Sequence, residues 1–110
     1  MQEISLDAQA QEQLERAAAT SNGRSATTVY GGHEHTLRQT VLALTAGTSL
    51  AEHENPGEAT LLVLRGRVRL SSGRTTCEGR SGDLIVIPPA RHALQAMDDA
   101  AVLLTVAEHG

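Results

Sequence analysis

The sequence predicts an all-β barrel domain preceded by a short helical arm. Three observations carry that expectation. Good helix formers cluster in one early stretch, a succession of short apolar runs follows it, and glycines cut those runs at close intervals.

Taken in order, residues 6–20 are rich in Ala, Gln, Glu and Leu, with Ser5 or Asp7 as the N-cap. Leu6, Ala10, Leu14 and Ala17 or Ala18 give this helix a thin apolar stripe, so it should lie on the surface of something else. Ser21-Asn22-Gly23 ends it. Strands are then expected at 26–30, 36–46, 59–64, 67–70, 74–78, 84–87, 92–97 and 101–107. Gly31-Gly32, Gly47, Gly57, Gly66, Gly73, Gly79 and Gly82 separate them, at the spacing of an all-β barrel or sandwich. The expected division is an arm over residues 1–24 and a barrel over 25–110.

Composition narrows the class of function. A chain of 110 residues holds one core. A net charge of −4 gives no footprint for nucleic acid. No run approaches the roughly 18 apolar residues of a membrane span, and MQEISLDAQ lacks the basic-then-apolar pattern of a signal. A lone Cys77, placed in a polar hairpin and read as inert, fits a reducing cytoplasm. All 9 basic residues are arginine and alanine is abundant, a pattern that fits a GC-rich bacterial genome. Tyr30 is the only aromatic residue, so any pocket must be walled by Leu, Val, Ile and Ala.

The most informative stretch is residues 47–66, GTSLAEHENPGEATLLVLRG. It has the outline of a metal-site segment: a glycine, His53, a Pro-Gly turn, an apolar strand and a second glycine. Asn55-Pro56-Gly57 reads as a turn, with Asn supporting an Asx bend and Gly allowing positive φ. Further on, GDLIVIPPARH places a glycine, a strand, Pro88-Pro89 and His92 in sequence, with Asp83 closing the turn into the strand.

Together these two stretches, in this order over about residues 43 to 96, resemble the paired motifs of the cupin superfamily. The chain looks like the small single-domain bacterial cupins of unassigned role. The resemblance implies a cupin jelly-roll barrel of two antiparallel sheets, here with an N-terminal helix. It also implies a homodimer, to which residues 27–30 or the helical arm would contribute. In the family, two histidines and a glutamate of the first motif and a histidine of the second hold Fe, Mn, Ni or Zn inside the barrel. Carried over residue by residue, His53 takes the first histidine position and His92 that of the second motif. Asn55 stands where the other histidine is expected, and Ala59 where the glutamate is expected. Glu58 lies one residue away and could serve only through a bulge or a register slip. Metal-ligand candidates are therefore His53, His92, Asn55 and Glu58, for a divalent transition metal.

Other polar residues need an account. Arg38 and Gln39 interrupt an apolar strand, so one of them must face inward and is a candidate for the pocket. Ligand-binding candidates are thus His53, His92, Gln39, Arg38 and Asn55. His33 and His35 would share a face if their segment is extended, and otherwise form a solvated loop pair. Glu52 and Glu54 should point away from the His53 side. Arg65, Arg67 and Arg69 alternate along one strand face, read first as a solvated charged face and otherwise as an anion or partner site.

Three functions of different class fit these residues. The favoured one is a small-molecule-binding cupin with a degenerate metal site, accessory or sensing in role. The second is a metal-dependent enzyme of oxygenase or isomerase type using His53 and His92. The third is a structural oligomerisation module. An inward Glu58 would favour the enzyme, an outward one the binder.

Overall fold

A computed structural model describes residues 1–53 and 57–108, without the side chains of Glu52 and His53. The Ser5 hydroxyl accepts a hydrogen bond from the Ala8 N–H and starts helix α1, Leu6–Ala19. Asp7 in the first turn and Arg16 in the last complement the helix dipole. Thr20 ends the helix: its backbone N–H and its hydroxyl both donate to the Ala17 carbonyl. Nine strands follow: β1 (Arg24–Gly31), β2 (Leu37–Leu44), β3 (Ser49–His53), β4 (Gly57–Arg65), β5 (Arg67–Ser72), β6 (Thr75–Arg80), β7 (Leu84–Ile87), β8 (His92–Ala96) and β9 (Ala100–Glu108).

All the pairings are antiparallel and build two sheets. One has five strands in the order β1-β2-β9-β4-β7, the other four in the order β3-β8-β5-β6. The sequence expectation of two antiparallel sheets and one N-terminal helix holds. Seven of the eight expected strands differ from the observed ones only by a few residues at their ends, and the eighth, β7, matches. The strand β3 was not expected. Its sequence, SLAEH, has little β-branched or aromatic content, and it forms at a sheet edge by pairing with β8.

Period-two alternation sorts the side chains. Ala59, Leu61 and Val63 of β4, Val102 and Val106 of β9, and Ile85 and Ile87 of β7 face inward from the five-stranded sheet. Val68, Leu70, Leu94 and Ala96 meet them from the other sheet and complete the core. The outer face of the five-stranded sheet carries α1. Ala10 and Ala17 of the helix pack on Ala43 and Ala101, four small side chains that let helix and sheet approach closely. Gln13 is buried in the same interface and accepts a hydrogen bond from the Ser25 hydroxyl. The apolar stripe of the helix is therefore covered by its own chain. Among the described residues, no helix is long and apolar enough to cross a membrane.

Three local features bear on the expectations. Residues 32–35 form a turn closed by the His35 N–H on the Gly32 carbonyl, so His33 and His35 are the solvated loop pair rather than neighbours on a strand face. His35 instead meets Tyr30 edge-on, with ring centroids 5.6 Å apart. Gly57 opens β4, and the turn expected at Asn55-Pro56 lies outside the described residues. Glycine is needed at position 57 because a Cβ would lie 2.1 Å from the Ala107 carbonyl oxygen. The arginine series is split by Gly66, whose φ of +77° turns the chain from one sheet to the other. Arg65 thus belongs to the five-stranded sheet and reaches Asp7 and Gln11 of α1, while Arg67 and Arg69 lie on the outer face of the other sheet.

Candidate functional site

His92 is placed by the turn between β7 and β8. Pro88 and Pro89 stop β7, the Ala90 N–H closes on the Pro88 carbonyl, and β8 begins at His92. The Ser72 hydroxyl donates to the Arg91 carbonyl at 2.8 Å and ties this turn to β5. His92 is only 4% exposed and shares the inward face of β8 with Leu94 and Ala96. Its Nδ1 lies 3.0 Å from the Ala90 carbonyl oxygen. A carbonyl can only accept, so Nδ1 carries the proton and the ring orientation is fixed. His53 is the register partner of His92, after an irregularity in β3 between Leu50 and His53. The side chain of His53, and all of Asn55, lie outside the described residues.

The decisive geometry is on β4. The pairs Gly57↔Glu108, Glu58↔Ala107 and Ala59↔Val106 run without interruption, and the one irregularity with β9 comes later, between Val63 and Arg65. No bulge therefore turns Glu58 around. Ala59 is 7% exposed within the core, and Glu58 is exposed on the outer face beside Thr60, Thr105 and Ala107. The inward place next to the core is held by a methyl group.

Strand β2 separates its two polar residues. Gln39 is on the outer face, where its side-chain amide donates to the Thr105 hydroxyl at 3.2 Å. Arg38 takes the inward parity, in a row Arg38–Val106–Ala59–Ile87 across the sheet, but is exposed at the barrel rim. It lines a rim concavity of about 230 Å³ with His33, His35, Thr36 and Glu108.

Among the described residues, no three His, Cys, Asp or Glu side chains converge as metal ligands. His92 offers an imidazole, Ala59 offers nothing, and Glu58 is on the wrong side of the sheet. Among the described residues, the donors do not make up a transition-metal set, which in the facial-triad type combines two imidazoles with a carboxylate.

A model of the cupin domain matches residues 40–107. The chain belongs to the cupin family.

Solved structures agree with this fold. A conserved protein of unknown function from Streptococcus pyogenes is 26% identical, with a TM-score of 0.74 over 83% of this chain and 79% of that one. A cupin superfamily protein from Desulfitobacterium hafniense is 16% identical, with a TM-score of 0.75 over 99% and 94%. A cupin 2 conserved barrel domain protein from Leptotrichia buccalis is 21% identical, with a TM-score of 0.73 over 81% of this chain and 43% of that one. No curated protein matches the chain.

One feature of this cupin escaped sequence reasoning. The sheet edges β6 and β7 stay apart, leaving a groove of about 340 Å³ lined by Leu70, Thr75, Cys77, Ile85, Val86 and Pro88 among others. Cys77 is the register partner of inward Leu70, yet it is exposed, because none of the described residues covers this seam. The alternation of β6 carried no signal for this, since its residues are polar on both faces except at Gly79.

Proposed function

We propose that this cupin is a small-molecule-binding protein, accessory or sensing in role, that holds its ligand without a transition metal. The observation that carries the reading is the inversion on β4: a buried Ala59 where the resemblance implies a carboxylate, and an exposed Glu58 beside it. The ligand would enter the groove between β6 and β7. That groove has the volume of a small-ligand site, aliphatic walls in Leu70, Ile85 and Val86, and hydroxyls and a thiol in Ser72, Thr75 and Cys77. With no aromatic wall for stacking, it suits a compact aliphatic molecule carrying one or two hydroxyl or carbonyl groups. His92 is buried behind the turn that forms the end of this groove and would act on the ligand only by holding that turn in place. Arg38 lies at a separate rim concavity and Gln39 faces away from the barrel, so neither belongs to this groove.

The test is a thermal-shift screen of small aliphatic acids, alcohols and ketones on the full chain. A true ligand raises the melting temperature and slows alkylation of Cys77, and the rise in melting temperature disappears with Cys77→Trp, which fills the groove. A ligand that stabilises wild type and Cys77→Trp equally would remove the groove from this account.

A further inference from the structure

We infer that the outer face of the four-stranded sheet carries a separate oxyanion site, built by Arg67 and Arg80 and suited to a phosphate group. Arg67 and Arg80 are direct register partners on β5 and β6. Like charges directly opposite on a ladder repel, and the adjoining pair shows the usual remedy: Arg69 stands opposite Glu78, with 3.7 Å between their charged groups. Arg67 faces Arg80 across the ladder and meets a carboxylate only at the edge of ion-pair range. The closest carboxylate oxygen to its Nε is Asp98 Oδ2 at 4.0 Å, too far for a hydrogen bond. That Nε is nonetheless sheltered from water and has no hydrogen-bond partner among the described residues. A guanidinium N–H left unbonded away from water costs stability, a cost that an anion drawing the side chain into a neighbouring concavity would offset. The Arg80 guanidinium forms no ion pair among the described residues; Asp83 engages the backbone N–H and carbonyl of Arg80 instead.

Both arginines line a concavity of about 360 Å³ with Gly66, Ser81 and Asp98. Two guanidinium groups offer forked donors to a tetrahedral oxyanion, and Ser81 adds a hydroxyl. Asp98 offsets one of the two positive charges and leaves the other to be balanced by the ligand. None of these residues lines the groove between β6 and β7, so this site stands independently of the function proposed above.

The experiment is an NMR titration of the full chain with inorganic phosphate, with chloride at matched ionic strength as control and acetate as a carboxylate comparison. Wild type should show saturable shifts of the Gly66, Arg80, Ser81 and Asp98 amides in the millimolar range, weaker with acetate and absent with chloride. Arg80→Gln, at an exposed position where removal of the repulsion leaves the fold intact, should raise the midpoint at least about tenfold. Arg67→Gln should do the same, and the rise in melting temperature with phosphate should vanish in both. Non-saturable shifts in wild type, or an unchanged midpoint in Arg80→Gln, would overturn the site. A stronger response to acetate than to phosphate would overturn its assignment to phosphate.

Discussion

Single positions decide what this barrel can do. The sequence placed a methyl group at residue 59 and a carboxylate at 58, and alternation alone predicted which would face inward; the unbroken register of β4 supports that reading. His92 was legible as an inward residue for the same reason. The position of Gln39 was not legible, because Arg38 and Gln39 are adjacent polar residues and period two states only that they point opposite ways. The need for glycine at position 57 was not legible, because the closeness of the Ala107 carbonyl is set by a strand about fifty residues away. Gly57→Ala should therefore destabilise the protein by about 1–3 kcal/mol in urea melts, since backbone rather than a flexible side chain must move. Gln13→Ala should cost a similar amount, about 1–3 kcal/mol, from the cavity and the lost bond to Ser25.

Elements explain the division of labour between helix and sheets. The thin apolar stripe of α1 predicted a helix lying on another surface, and that surface is the five-stranded sheet of the same chain. The match of alanines on both sides could not be read from the helix alone, because it depends on which β2 and β9 residues face outward. Ala17→Leu tests this contact. Leucine suits a helix about as well as alanine, so an undocked arm would tolerate it. Against Ala43 and Ala101 it should overpack the interface and lower stability by about 1–3 kcal/mol in thermal or urea unfolding. The strand β3 shows the opposite lesson: five residues of weak strand character are recruited by pairing with β8, which brings position 53 opposite position 92.

For the whole molecule, the open seam between the two sheets and the apolar outer face of β7 are the surfaces left without cover. Leu84 and Val86 are 60% and 74% exposed there. We expect this face, with the unpaired edge of β1, to support the homodimer that the family resemblance implies. Light scattering should give a dimer at micromolar concentration and a monomer for Leu84→Glu with Val86→Glu; a monomeric wild type would remove this expectation. The central claim concerns the barrel interior, and elemental analysis tests it most directly. Protein purified without affinity tag or chelator, then reconstituted with excess Fe(II) and Ni(II), should carry no near-stoichiometric transition metal. Near-stoichiometric metal in wild type, lost in the His53→Ala and His92→Ala double variant, would contradict the account and restore the metal-dependent enzyme.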